Sequence, residues 1–484
     1  WPMAVGGVLD ASGQTIDVIA RLDAKQSPIE LHYRASSYLR RPEWGVTATL
    51  NRFPVAPVVG IARNLGFAIP ADFKLEGTAD GAVSFSLPQG ATQMNGSLML
   101  SNSVFNVSGA PPLRIPSAAL RFDGSTITLA PTAITNENSE TATLEGDWDT
   151  ADNSVDVQLA SDGMAIASLS RQVSLAGIPL LSQATAGAWK GKLRYSASAW
   201  SGDVHLQDTV IPFEAFAEPL RIVAADAEID GSILSVKRLV ISTGGIEATG
   251  DYRYEPAAAR PHRFRLNIAK ANADAIEKLM MPALHRGNFF TYAFNFGRAP
   301  EPDWLHNMRA DGVLEIGSLQ LAGNEFTKVK ARVLWDATEL RLQDLQSQMG
   351  TAALAGSVAL HLDRRQPTYD VEGKLTGLPW HSGRIDTEGS LVTSGTGSAL
   401  LDHLRAKGTF EGKGIDLSPL DTYESVAGSF EWASDARNSR LRLTQLMMKN
   451  GADTFQGTGE SQENGQVLVR ITDGSRHLQA AVTP

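Results

Sequence analysis

The 484-residue chain contains no cysteine and carries a formal net charge of −10, from 43 Lys and Arg against 53 Asp and Glu. The lack of cysteine rules out a disulfide scaffold and thiolate metal sites, and the acidic balance does not suit nucleic acid, whose phosphates call for cations. Hydrophobic residues at 43% and charged residues at 20% describe a folded chain, and no stretch reaches the roughly 18–20 uninterrupted apolar residues of a transmembrane helix.

Residues 1–44 read as the end of a repeat preceding the first complete one. From there the chain repeats itself about every 105 residues, in units 45–154, 155–261, 262–366 and 367–484. The first unit opens with Val46, Ala48 and Leu50 alternating with Thr47 and Thr49, the period-two mark of a half-buried strand. A short insert at 54–67 follows, with Val58, Val59, Ile61, Ala62 and Leu65 at helix-like spacing. Gly96 then leads Leu98 and Leu100, Asp123-Gly124 marks a turn, and Ile127 and Leu129 alternate again. The unit closes on Thr143-Leu144-Glu145-Gly146-Asp147-Trp148 and the turn Asp152-Asn153.

The later units keep this order. The second has Val155, Val157 and Leu159, an insert at 165–175, Gly202 leading Val204 and Leu206, Asp230-Gly231, then Leu234 and Val236. It ends on Ala248-Thr249-Gly250-Asp251-Tyr252. The third has Phe264, Leu266 and Ile268, then an insert at 272–284 with Ala275, Ile276, Leu279 and Met280 at helical spacing and Asp274 near its start. Gly312 leads Leu314 and Ile316, Leu340 and Leu342 follow, and Gly356 sits in the closing phrase. In the fourth the insert has shrunk to Leu378-Pro379-Trp380. Gly408 leads Phe410, Gly412 stands where an apolar residue is expected, Leu441 and Leu443 alternate, and Gly459 precedes the turn Asn464-Gly465. Polar residues fill the alternate positions, which predicts antiparallel strands with one apolar and one wet face. Six strands per unit at about 4.8 Å give roughly 29 Å, and four units on the order of 115 Å.

The apolar face is the candidate site. It comprises the residues two and four places after the landmark glycines, and the alternating pairs named above: Ile127 and Leu129, Leu234 and Val236, Leu340 and Leu342, Leu441 and Leu443. Alternation alone leaves open whether this face meets a ligand or a second sheet in a closed sandwich. Other motifs favour plain structure. Asp147–Gln158 lacks the glycine and final Glu of a calcium loop. Gly395-Thr396-Gly397 lacks the third glycine and the Lys of a phosphate loop. The nine histidines show no metal-ligand spacing, and His205 should point to solvent. Asp226 and Glu228 share one strand face, as charged pairs on wet sheets commonly do. Helix 271–284 reads as a packing helix, its polar face carrying Asp274, Glu277 and Lys278. No catalytic residue, metal or cofactor is expected.

The recurring order resembles the AsmA-like family of Gram-negative envelope proteins, with its TamB and YhdP relatives. That order is an alternating strand, a short helix, a "G-x-hydrophobic-x-hydrophobic" strand, an Asp-Gly hairpin, and a strand closing as in Ile246-Glu247-Ala248-Thr249-Gly250-Asp251-Tyr252. The resemblance spans residues 45 to 470 and implies a mainly β, elongated antiparallel groove with an apolar concave face. It further implies a periplasmic protein whose inner-membrane anchor lies outside this sequence, with phospholipids or other acyl lipids as partners on their way to the outer membrane. Two other readings are a structural or adhesive β-repeat protein and a β-rich carbohydrate-active enzyme. The first expects coils of about 20–25 residues. The second expects clustered aromatics with two carboxylates, whereas the nine tryptophans are dispersed.

Overall fold

A computed structural model describes the chain except residues 1–2, 23–26, 40, 65–73, 87–92, 107–111, 168–182, 286–301, 365, 381, 418–419, 436–437 and 483–484, and gives 61, 62 and 64 as backbone only. The described residues are mainly β: 28 strands in open sheet, with four short helices. Packing divides the chain into two compact units, 1–211 with 224–235, and 212–223 with 236–484.

The first unit is an antiparallel meander. Twelve strands, from Met3–Asp10 to Ala199–Ile211, pair each with the next. The expected turns are in place, with Asn153 and Gly124 at φ 58° and 62°, the left-handed region that Gly and Asn adopt most readily. The insert at 54–67 contains helix α1, Ala56–Asn64. Most of the insert at 165–175 lies outside the described residues.

The second unit runs from Ile246–Tyr254 to His477–Val482 and is antiparallel with one exception. His262–Asn272 pairs parallel with Arg309–Leu321. Parallel neighbours cannot be joined by a hairpin and need a long crossover, supplied here by residues 273–308. That segment carries helix α2, Ala273–Leu284, and the single turn α3, Asp303–His306. The side chain of Asn272 caps α2 by accepting from the Asp274 N–H at 2.8 Å. The third insert is thus the crossover itself. The fourth is not a reduced helix. Leu378–Trp380 belong to the strand Thr368–Trp380, whose register slips between Leu375 and Leu378 with Gly377 at φ 73°; the extra length is taken up as a β-bulge. A further turn of helix, α4, spans Ala399–Asp402.

The second sheet curls towards its apolar face. Gly244 precedes the strand Ile246–Tyr254, and Gly397 follows the strand Gly383–Ser394. Seven pairings separate those strands, about 34 Å in a flat sheet. Yet a Cβ on Gly244 would stand 3.2 Å from Leu279 Cδ1, and the Gly397 N–H donates to Glu277 Oε2 at 2.9 Å. Residues 277 and 279 are neighbours on α2, so the two turns lie on the order of 20 Å apart. Leu284 of α2 and Leu305 of α3 pack with Leu360 and Leu362, against Trp335, Leu340 and Tyr369. The helices therefore lie on the apolar face. An aromatic chain, Phe213 to Trp304 (6.0 Å) to Trp335 (6.4 Å), extends this packing.

The landmark glycines have a local cause. Gly96 and Gly202 take φ 138° and 139°, and a Cβ at either would lie 2.1 Å from the carbonyl oxygen of Ala82 or Lys192 on the paired strand. Glycine lets the strand bend there without losing its partner. Gly408 is held the same way, 2.2 Å from the Glu388 carbonyl oxygen, with the Phe430 ring at 2.9 Å, whereas Gly312 is covered by the ring of Phe264. Gly412, the apparent departure, makes room for Ile415, which stands 2.7 Å from its missing Cβ.

Candidate functional site

Directly opposed residues share a face, so the register can be followed from strand to strand. In the first unit one row reads Ile29, Leu50, Gly81, Leu98, Leu120, Leu129, Gly146, Val157, Tyr195, Trp200. A parallel row includes Ala48, Val83, Gly96, Phe122, Ile127, Trp148 and Val155. As named, the first crosses ten strands and the second seven, neither with a charged residue. The row between them is polar: Glu30, Thr49, Ala82, Ser97, Arg121, Thr128, Asp147, Asp156.

The second unit repeats the design. Tyr252, Phe264, Gly312, Val333, Leu342, Val358, Val371, Leu391, Ala406, Trp432 and Leu441 form one row over eleven strands. The adjacent wet row reads Ser357, Glu372, Ser390, Lys407, Glu431, Arg442, Glu460.

The fifteen candidate residues fall into four environments. Leu98, Leu100, Ile127, Leu129, Leu314 and Leu342 are half-buried. Val204, Leu206, Leu234, Val236 and Ile316 are buried; Leu206, 2% exposed, stands opposite Trp189 in a filled core that also holds Met164. Leu340 packs beneath the crossover helices. Phe410, Leu441 and Leu443 pack against a dense C-terminal cluster around Tyr423, Leu446, Met448 and Ile471. Leu234 belongs to the first unit and Val236 to the second. The sequence reading missed the aromatic members Phe122, Trp148, Tyr195 and Trp335, because each joins the face through a cross-strand partner rather than through a motif.

The wet face is laced with exposed ion pairs. Arg332 grips Asp311 through two hydrogen bonds of 3.0 and 2.8 Å, and Arg194 binds Asp156. Each guanidinium holds its carboxyl below the ordinary value. Exposed pairs of this kind contribute little to stability. His205 meets Asp226 at 2.9 Å on this face, and Asp149 and Asp152 accept from the N–H groups of Ala151 and Ser154 in their own hairpin. A broad concavity of about 1190 Å³ also lies on the wet side of the second unit. Gly356, Gly373, Gly389 and Gly408 line its floor, with Glu372, Lys374, Glu388 and Lys407 beside them. Among the described residues no three His, Asp or Glu side chains gather as a metal site, and no helix is long and apolar enough to cross a membrane.

No protein-family model, curated protein or solved structure matches the chain.

One titratable group lies at the margin of the apolar face. His262 Nδ1 is 2.9 Å from the Tyr252 hydroxyl, with the Tyr254 ring 5.2 Å away. Burial lowers its pKa from 6.5 and raises that of Tyr252. The unfolded chain therefore binds the proton more readily. Above pH 6.5 His262 makes no difference to stability. Below it, stability should fall until the folded pKa is passed, by at most about 1.4 kcal/mol per pH unit. Urea midpoints measured between pH 7.5 and 5.5 should decline less steeply in His262→Gln than in the parent; equal slopes would refute this.

Proposed function

We propose that the chain shelters the acyl chains of lipids along the apolar face of its sheet and carries no chemistry of its own. The observation supporting this is the uninterrupted apolar row, ten strands wide in the first unit and eleven in the second, with half-buried Leu98, Leu129 and Leu342 along it. An acyl chain gains about 0.8 kcal/mol for each CH₂ it removes from water. A face with no single best position lets it slide. The resemblance to AsmA-like envelope proteins supplies the setting: the periplasm, an inner-membrane anchor outside this sequence, and phospholipid moving towards the outer membrane. The four-repeat organisation belongs to the same proposal.

A second reading has its own observation. The dense C-terminal cluster and the helices over Leu340 favour a scaffold whose face is filled by its own side chains. Native mass spectrometry after incubation with phospholipid vesicles separates the two. Bound lipid supports the first reading, and a bare protein mass supports the second.

A further inference from the structure

The apolar row of the second unit is sheltered along its length and open at one place. Trp432 is 42% exposed, whereas its neighbours Leu391, Ala406 and Leu441 are half-buried. Helices α2 and α3 cover the strands before it, and the C-terminal cluster fills the far ends of the strands around it. Beside the opening stands α4, where Leu401 is 62% exposed, more than any other large apolar side chain among the described residues of the second unit.

A single apolar residue on a surface needs no explanation, but this one is held out in water by a well-anchored turn. The Thr393 hydroxyl donates to the Leu400 carbonyl, and the Gly397 N–H donates to Glu277 Oε2 at 2.9 Å. The Ser434 N–H donates to the Leu404 carbonyl at 2.8 Å, which joins the turn to the strand end that carries Trp432. The Trp432 indole N–H donates to Ser439 Oγ at 2.7 Å. Leu401 and Trp432 therefore belong to one margin of the sheet.

The charges at this margin differ from those elsewhere on the wet face. Arg405 and Arg440 flank Ala433 on the adjoining strands, and both are exposed. Among the described residues neither forms an ion pair, whereas Arg194, Arg332, Arg341 and Arg476 each do. Of the acids in the two turns, Asp402 is half-buried on α4 and Asp435 accepts from the Asn438 N–H at 2.8 Å. Exposed Leu and Trp beside two unpaired guanidinium groups suit an anionic membrane surface. The apolar side chains enter the acyl boundary, the indole sits at headgroup level, and arginine binds phosphate.

We infer that the margin formed by Leu401, Trp432, Arg405 and Arg440 docks on a lipid surface bearing anionic headgroups and sets the opening at Trp432 against the bilayer, where acyl chains enter the row. The entry step rests on the proposed function; the docking does not.

Flotation with vesicles of phosphatidylethanolamine and phosphatidylglycerol reads the docking. The parent should float. Leu401→Asp, and Arg405→Glu combined with Arg440→Glu, should each bind about tenfold more weakly or worse. Leu321→Asp is the control: Leu321 is 45% exposed in a hairpin at the opposite ends of the strands, and its variant should float as the parent does. All these side chains are exposed, so circular dichroism should report folded protein throughout. Transfer of lipid from the vesicles should slow about tenfold in the Leu401 and arginine variants, while loading from detergent, which bypasses the bilayer, should not change. A parent that does not float, Leu401→Asp floating as well as the parent, or Leu321→Asp detaching equally would overturn the inference, even where loading from detergent succeeds. A parent that floats but takes up lipid by neither route would support the docking and refute the proposed function, and with it the entry step.

Discussion

Leu129→Asp is expected to abolish most lipid uptake while the sheet stays folded. Leu129 is half-buried, in the row between Leu120 and Gly146. A carboxylate there lies in the path of any acyl chain running along the row. Covering it without a partner costs several kcal/mol, and each 1.4 kcal/mol is tenfold in affinity, so uptake should fall at least about a hundredfold. Aspartate is the stricter test, since the longer stem of lysine would reach back to water. The loss of stability should be limited to about 1–3 kcal/mol. Ser97→Asp, on the wet face opposite Arg121, is the control and should leave uptake unchanged. Uptake of labelled phospholipid, measured beside circular dichroism, reads both. If Leu129→Asp binds lipid as well as the parent, the apolar row is not the site. Leu206 is the wrong place for this test. At 2% exposure in a filled core, a charge there would unfold the sheet and report on stability alone.

The second large effect is on the fold. Gly250→Val should destabilise the second unit by about 3 kcal/mol or more. A Cβ at Gly250 would lie 1.8 Å from the Arg265 carbonyl oxygen and 3.2 Å from Leu266 Cα. These are backbone atoms of the paired strand, so relief requires breaking the Gly250–Leu266 pairing. Gly60→Ala is the matched control. It lies in α1 with nothing within 4 Å of its Cβ position, and alanine should raise stability by about 0.5–1 kcal/mol. Denaturant midpoints decide it. Equal midpoints for Gly250→Val and the parent would show that the close approach of the two backbones does not require glycine there.

Much of this was legible in the sequence because the side-chain period of a strand is two. Leu98 and Leu100, or Leu340 and Leu342, could be put on one face from spacing alone. The recurring glycines were legible as landmarks but not as bends, because Gly250 is forced by the carbonyl of Arg265 on another strand. Register was the main loss. That Leu129 faces Leu120 on one side and Gly146 on the other depends on hairpin lengths and bulges, which motifs do not report. The parallel pairing of His262–Asn272 with Arg309–Leu321 was hidden for the same reason; the helix-like insert was read, but not its role as a crossover. Burial differed most. Val204 and Leu98 carry the same motif, yet one is buried and the other half-buried, because burial is set by neighbours distant in sequence. Leu378-Pro379-Trp380 became the paired end of a strand, with a bulge just before it, because a strand can absorb one extra residue more easily than a helix can form from three.

The most direct measurement is native mass spectrometry of the chain after incubation with phospholipid vesicles and gentle removal of detergent, with the bound lipid extracted and counted. The proposed function predicts several phospholipids per chain, reduced to nearly none in Leu129→Asp and unaltered in Ser97→Asp. A bare protein mass under the same conditions would contradict it and leave a sheet whose apolar face is filled by its own side chains.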